Sequence, residues 1–339
     1  MKKYKFVWID DKTQKAEAFR PSIEAGPKTS NLSALVEVLQ VTQQILQNLE
    51  TWSTKWQTAV PDLFIIDHVF NLPLPLALQG SSVAHLLRGK FPSTPMVCVT
   101  AKTDSPNTLD QEDLVEYIAL FPYTKLEEDI DDLYAIARDF RKLRASGTKV
   151  REHLVDCLKP SARDREDLLR ILPEEFQNQL HGTTQHNMAR WIYNILLQRP
   201  GFLYDQLNAA TLLGLTTEGF AKVEPFFTKA RYKGVFEMGS KPRWWVSELR
   251  RLLFKMVSDT APDEPQLAGR TLPGVAKAHY SRCYISKSTE PPPDTVVYVD
   301  ATPNAGQKVV RQEFAAAHPK DVGVLAGFEA PLVLKKRSK

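Results

Sequence analysis

Short runs of apolar residues alternate with amphipathic segments over the first 145 residues of the chain. The four clearest runs span 6–9, 63–66, 96–99 and 117–120, and each is followed by polar positions. Apolar side chains at helical spacing separate the runs, as in Ile45, Leu49, Trp52 and Trp56 or Ile130, Leu133, Ala137 and Phe140. Strands that alternate with helices predict a parallel sheet with right-handed crossovers.

Chemically useful side chains stand where these runs end. Asp10 and Asp11 follow the first run, Asp67 the second and Thr100 the third, and Lys125 comes after the fourth and a short turn. The carboxyl ends of parallel strands lie on one edge of a sheet, where ligands bind. Three carboxylates, a hydroxyl and an ammonium at that edge predict a site for Mg²⁺ and a phosphoryl group.

In this order and spacing, the five residues resemble the pattern of response regulator receiver domains of two-component systems. The resemblance covers roughly residues 1–145 and implies a receiver domain over 1–146. It implies a flavodoxin-like, doubly wound parallel sheet of five strands in the order 2-1-3-4-5. Asp67 would be the phosphoacceptor, served by Thr100 and Lys125, and a sensor histidine kinase would be the donor. A carboxylate can attack phosphorus and form an acyl phosphate.

The resemblance also implies a metal centre. Mg²⁺ would take oxygen ligands from Asp10, Asp11, Asp67 and the backbone carbonyl of Val69, and water would complete an octahedron. Without the metal, clustered carboxylates repel each other and at least one pKa rises. By the same resemblance, Lys125 pairs with one phosphoryl oxygen and the threonine hydroxyl turns to bond another, which is the switch.

Three features depart from the family pattern. Leu126 follows Lys125, where the family usually has proline, and the loop over 68–80 is long and contains prolines. The aromatic switch residue of the last strand would be Phe121 or Tyr123. These departures leave phosphorylation intact but put the usual dimerisation face and the usual coupling to an output domain in doubt.

Residues 147–258 are predicted to form a mainly helical, winged-helix-like domain. The predicted elements are a helix over 207–213, a turn at Gly214, a helix over 217–229, strands over 231–236 and 243–246, and a helix over 249–256. Basic residues follow this outline beside Trp244 and Trp245: Lys222, Lys229, Arg231, Lys233, Lys241, Arg243, Arg250 and Arg251. They favour DNA as a partner through phosphate contacts. Glu218 and Glu224 on the second helix argue against base reading, and the two tryptophans are equally typical of packing.

Residues 259–339 are predicted to form a proline-rich linker and a small α+β unit. That unit would contain a strand over 295–299, a helix over 305–317, a strand over 322–325 and a basic tail over 335–339. Asp300 ends a strand, but no second acid, glycine loop or nucleophile–base pair stands near it in sequence. We therefore expect the region after the receiver domain to be noncatalytic, and the chain not to be an enzyme.

Composition bounds the class of protein. A chain of 339 residues, 43% hydrophobic and 25% charged, is typical of a soluble protein of two or three domains. No apolar run reaches the ~20 residues of a membrane span, no signal peptide precedes the first strand, and three distant cysteines fit a cytoplasmic protein. Residues 1–130 carry 12 Lys and Arg against 16 Asp and Glu, a net charge of −4, whereas the remainder carries 32 against 24, or +8.

The sequence thus predicts a cytoplasmic response regulator that accepts a phosphoryl group on Asp67 and signals through a noncatalytic C-terminal region. An unusual receiver with an unfamiliar back half resembles the regulators of anti-phage two-component systems of the Detocs type. That family implies a protein that tunes phosphoryl flow between a sensor kinase and a separate effector. Two alternatives stay open: a DNA-binding transcriptional regulator, and an interaction adaptor without phosphotransfer.

Overall fold

The computed structural model divides the chain into two compact units. The first contains residues 1–157, 173–195 and 234–240, and the second contains 158–172, 196–233 and 241–339. The structure describes residues 3–28, 30–42, 53–70, 79–101, 115–144, 149–177, 182–257, 263–281, 296–299, 308–311, 315–317, 328 and 332–334. The first unit therefore recruits two segments that lie well beyond the predicted receiver boundary at residue 146.

A five-stranded parallel sheet forms the centre of the first unit. Its strands are β1 (Lys3–Asp10), β2 (Ser33–Gln40), β3 (Leu63–Asp67), β4 (Met96–Thr100) and β5 (Leu120–Pro122). They are ordered β2-β1-β3-β4-β5, and all four pairings are parallel. This flavodoxin-like order confirms the sheet that the family resemblance implied.

Helices bury the two faces of the sheet. They are α1 (Thr13–Ala25), α2 (Gly80–Lys90) and α3 (Ile130–Asp139). The strand β3 is buried up to its last residue and β4 along its whole length, which explains why both read as unbroken apolar runs. Most of the helical pattern predicted over 45–56 lies outside the described residues, although Trp56 is buried against Phe64 and Phe91.

The last strand of the sheet lies further along the chain than its apolar run predicted. Pairing with β4 begins where Ile118 donates to the carbonyl of Met96, and it continues to Pro122, opposite Thr100. The residue that directly follows β5 is therefore Tyr123. Lys125 comes two residues later, at the end of a short 3-10 turn over Tyr123–Lys125.

A later segment of the chain packs against β5. Helix α6 (Gly182–Trp191), which follows α4 (Val150–Leu158) and α5 (Ala162–Ile171), continues into a π-helical turn over Ile192–Leu196. Within this turn, the Tyr193 hydroxyl donates to buried Asp132 at 2.5 Å, and Asn194 donates to the Ile118 carbonyl at 2.8 Å. The Tyr193 ring also meets the Phe121 ring edge-on. The chain thereby covers its own last strand.

The second unit has a helix–turn–helix with a minimal sheet. Its elements are β6 (Leu203–Tyr204), α7 (Gln206–Leu212), α8 (Thr217–Val223) with a 3-10 continuation over Glu224–Ala230, β7 (Trp244–Trp245) and α9 (Val246–Met256). Strand β6 pairs antiparallel with β7, and Arg231 bridges to Trp244. The turn contains Gly214 at φ 64°, which a glycine adopts without strain.

The predicted strand over 231–236 is wrong. Arg231 forms a one-residue bridge and the Tyr232 amide donates to the Arg243 carbonyl, but the chain then leaves the ladder. Residues 234–240 belong to the first unit and use polar partners on helix α3 there. Asp139 accepts the Phe236 amide at 2.8 Å, and Arg138 donates to the Glu237 carbonyl at 3.0 Å.

The C-terminal part of the second unit contains short strands. They follow helix α10 (Pro265–Gly269) and are β8 (Val296–Val299), β9 (Lys308–Arg311), β10 (Ala315–Ala317) and β11 (Leu332–Leu334). They form two antiparallel pairs, β8–β9 and β10–β11. The predicted helix over 305–317 is wrong, because the β-branched pair at its centre favours a strand and both halves find ladder partners. The predicted strand over 322–325 and the basic tail lie outside the described residues.

Among the described residues, no helix combines the length and hydrophobicity that a membrane span requires.

Candidate functional site

Three carboxylates meet at the carboxyl edge of the central strands. Asp10 ends β1, Asp11 follows it, and Asp67 ends the neighbouring strand β3. One oxygen of each lies within 4.8 Å of the others. The pairing of Ile9 with Ile66 explains the convergence, because it places the next residue of each strand side by side. The structure thus brings together the three acids that the sequence predicted as metal ligands.

Asp10 is held in place by two hydrogen bonds. Its Oδ1 accepts the Lys12 amide at 2.8 Å, and its Oδ2 accepts the hydroxyl of Tyr123 at 2.8 Å. Burial raises the pKa of Asp10, and the negative charge of Asp11 raises it further, although both hydrogen bonds act in the opposite direction. This carboxylate is therefore oriented before any ligand arrives.

The pKa of the Asp67 carboxyl group is strongly raised. Burial first, and then the charges of Asp10 and Asp11, raise the pKa of Asp67 from 3.8 to about 7, while the positive charge of Lys15 lowers it. Three acids this close cannot all ionise freely without a counter-charge. A divalent cation with a preference for oxygen ligands fits this donor set, and Asp10, Asp11 and Asp67 are the side chains that would hold it.

Tyr123 occupies the position beside the phosphoacceptor candidate. Its hydroxyl lies 2.8 Å from Asp10 Oδ2 and 3.3 Å from Asp67 Oδ1, and burial and both negative charges raise its pKa. Its ring stacks on Trp8 and Phe19. The sequence pattern predicted Tyr123 only as a candidate aromatic residue of the last strand. The apolar run continues through Phe121, and this continuation indicates that the strand ends later than Leu120.

Lys125 lies at the far end of the turn that follows β5, and its role at the phosphoryl group stays a prediction. Its side chain is exposed, and its amine makes no hydrogen bond or ion pair with any described residue, Asp67 included. The physical reason is the later end of β5, which brings Tyr123 to the sheet edge and moves Lys125 to the far end of the following turn. Thr100 does end β4, buried, one residue beyond the Val99 that pairs with Asp67. Its hydroxyl switch stays a prediction.

The loop after β3 returns to the site at Gly80. Val69 forms a one-residue antiparallel bridge with Gln79, and the Gly80 amide donates to the His68 carbonyl at 2.9 Å. This closure fixes the backbone directly after Asp67. The role of the Val69 carbonyl as a metal ligand stays a prediction.

The strand order decides the fold of the first unit. The unit has a parallel sheet ordered 2-1-3-4-5 with an acidic cluster at the ends of its first and third strands. This is the flavodoxin-like fold that the resemblance to receiver domains implied. Tyr123, and not the lysine that the resemblance implied, directly follows β5.

Comparisons with known proteins find solved structures that are similar to part of this chain. Solved structures similar to this chain include the Mn²⁺-bound form of response regulator Rcp1 (14% identity, 39% of this chain and 94% of that chain, TM-score 0.29). They also include response regulator TrrA from Thermotoga maritima in complex with Mg²⁺-BeF (16%, 38% and 98%, 0.27) and the receiver domain of the Arabidopsis thaliana histidine kinase CKI1 with Mg²⁺ and BeF₃⁻ (14%, 39% and 90%, 0.27). No protein-family model matches the sequence, and no curated protein does.

We expect Mg²⁺ affinity to fall as the pH is lowered through about 7, because a proton and the cation compete for Asp67. Below the pKa, Kd should rise up to about tenfold per pH unit. The raised pKa also means that folding stability without metal is lost as the pH rises from 3.8 towards 7, so Mg²⁺ should raise Tm more at pH 8 than at pH 6. Calorimetric titration at both pH values measures the Mg²⁺ affinity, thermal unfolding measures Tm, and Asp67→Asn is the control for both. Equal Mg²⁺ affinities at the two pH values would contradict the assignment of Asp67 as a metal ligand.

Proposed function

We propose that the chain is a response regulator whose Asp67 accepts a phosphoryl group from a phosphohistidine of a sensor histidine kinase. The observation that carries the proposal is the convergence of Asp10, Asp11 and Asp67 at the carboxyl edge of a receiver-type sheet. Such a site catalyses by positioning and by charge neutralisation, and it needs little covalent chemistry from other side chains.

The chemistry of this chain's residues follows from their placement. An oxygen of Asp67 attacks phosphorus, the phosphorus–nitrogen bond to the donor imidazole breaks, and its electron pair stays on that nitrogen. Bound Mg²⁺ would supply charge neutralisation for the phosphoryl oxygens. Tyr123 and the Lys12 amide hold Asp10 fixed throughout, so the site does not have to reorganise as charge moves.

The test is phosphorylation of the full chain by a small donor. Phosphoramidate has the same phosphorus–nitrogen bond as phosphohistidine, and intact mass spectrometry reports each phosphoryl group gained. We expect one group on the wild type in Mg²⁺, none on Asp67→Asn, and one on Glu128→Gln, an exposed acid of the turn beyond the site. A phosphoryl group retained by Asp67→Asn, or no gain by the wild type, would refute the assignment.

The output of the phosphorylated state is proposed to be noncatalytic and exerted through binding to a separate effector. An anti-phage role is part of this proposal and rests on the sequence resemblance alone. The covered last strand is consistent with an output that does not use that face for pairing with a second receiver.

DNA binding by the second unit is the other candidate, and one observation favours it. The order β6, α7, α8, a bridge at Arg231 and β7 is that of a winged helix. Some of the residues that suggested DNA binding from the sequence have structural roles instead. Trp244 and Trp245 are buried, and the Arg243 guanidinium donates to three backbone carbonyls. Lys222 and Lys229 remain on the exposed side of the second helix and its continuation.

A gel shift of the full chain on DNA tests this candidate. Binding should weaken steeply with salt, and changing both Lys222 and Lys229 to glutamate should weaken it on every sequence. The absence of a shift at low salt removes DNA from the list of partners.

A further inference from the structure

Among the described residues, no lysine or arginine forms an ion pair with Asp67. Once Asp67 carries a phosphoryl group, that group adds about −1.5 to −2 charges beside Asp10 and Asp11, and one divalent cation offsets only about half of the total. Tyr123 donates a hydrogen bond but contributes no charge, and Lys125 lies exposed beyond it. A second cation is required for efficient transfer, because this chemistry depends on charge neutralisation.

Lys15 is placed to supply that cation. It lies in the first turn of α1, four residues after Asp11, and its Nζ stands 4.6 Å from the centre of the Tyr123 ring. The hydroxyl of the same ring contacts both Asp10 and Asp67. The charge of Lys15 also lowers the pKa of Asp67, so the two groups interact across the site.

The contact with the Tyr123 ring leaves the Lys15 amine able to bind another group. It forms no ion pair with any described residue, and a cation–π contact at an exposed position is worth only about 0.5–1 kcal/mol. A flexible four-carbon stem can therefore swing the amine from the ring to a phosphoryl oxygen at small cost.

We propose that Lys15 binds the phosphoryl group on Asp67, in the role that the sequence pattern gives to Lys125, and that the Tyr123 ring is the platform that keeps its amine at the site. The inference rests on the proposed function, since it names the cation of that same site. It makes Lys15 a catalytic residue and Tyr123 a positioning residue.

The experiment compares three lysine variants of the full chain in Mg²⁺ and phosphoramidate. Lys15→Met should slow phosphorylation of Asp67 at least tenfold, and Lys15→Arg should recover most of the rate. Lys125→Met tests the competing assignment of this role to Lys125, and we expect it to react within twofold of the wild type. Thermal unfolding of each variant checks that the fold is kept.

Beryllofluoride, a stand-in for the phosphoryl group, separates binding from structure. Lys15→Met should weaken its affinity at least tenfold without weakening Mg²⁺ binding, because removing a nearby cation cannot disfavour a metal. Tyr123→Phe keeps the ring, so Lys15→Met should still weaken beryllofluoride binding when it is combined with Tyr123→Phe. When it is combined with Tyr123→Ala, Lys15→Met should cause no further weakening.

The outcomes distinguish two failures. A wild type that gains no phosphoryl group refutes the proposed function. A wild type that reacts on Asp67, with Lys15→Met reacting equally well, overturns the role of Lys15, and the role returns to Lys125 if Lys125→Met alone is slow.

Discussion

Alanine at position 80 is expected to destabilise the first unit by at least ~2 kcal/mol and to abolish phosphorylation of Asp67. A Cβ on Gly80 would stand 2.0 Å from the carbonyl oxygen of Asp67 and 2.8 Å from the Tyr117 hydroxyl. The first obstacle is backbone, so it cannot rotate away. Relief requires moving the end of β3, which carries Asp67, or breaking the hydrogen bond from the Gly80 amide to the His68 carbonyl.

Gly89 provides a matched control on the same helix. A Cβ there meets nothing within 4 Å, and alanine is preferred over glycine inside a helix by up to about 1 kcal/mol. Chemical denaturation should therefore show Gly80→Ala well below the wild type and Gly89→Ala equal to it or above it. The explanation fails if the two variants have the same free energy of unfolding.

The second large effect is expected at Asp139. This carboxylate is buried, accepts the Phe236 amide at 2.8 Å, and pairs with Arg138 and Lys142 at 2.6 Å each. Removing one partner of a buried pair costs about 3–5 kcal/mol, and partial exposure of both cations reduces this to roughly 2–4 for Asp139→Ala. Asp131 on the same helix accepts the exposed amide of Ser240 at 3.0 Å, so Asp131→Ala should cost under ~1 kcal/mol.

The pH dependence gives an independent signature of Asp139. Burial alone would raise its pKa, but the hydrogen bonds and charges of Arg138 and Lys142 together outweigh burial and hold the pKa below the usual 3.8. A lowered pKa gives stability that is present above 3.8 and is lost as the pH falls through the folded value. The wild type should lose stability in that acid range, and Asp139→Ala should lose less. Identical acid profiles would contradict this contribution.

The acidic cluster was predictable because it depends only on strand order. Once β1 and β3 are recognised as neighbours, Asp10 and Asp67 must lie side by side at the strand ends. Position along the last strand was not predictable in the same way. Its apolar run extends over several residues, and a shift of two residues exchanges Lys125 for Tyr123 at the sheet edge.

The back half shows a different limit of sequence reasoning. Helix α7 and the turn at Gly214 follow local rules of capping and glycine conformation, and both are observed. The packing of 182–195 and 234–240 within the first unit depends on single long-range bonds, such as that from Tyr193 to Asp132. Such bonds leave no periodic pattern in the local sequence. In an alanine- and valine-rich segment, the local propensities for a short strand such as β9 and for a helix are similar.

The position of the phosphoryl group tests the role of the acidic cluster most directly. Borohydride reduces an aspartyl phosphate to homoserine, so peptide mapping after reaction with phosphoramidate and Mg²⁺ identifies the modified residue. We expect homoserine at position 67, and its loss when Asp10 and Asp11 are both changed to asparagine. Modification of any other residue, or modification at 67 that persists without those two carboxylates, would contradict this role.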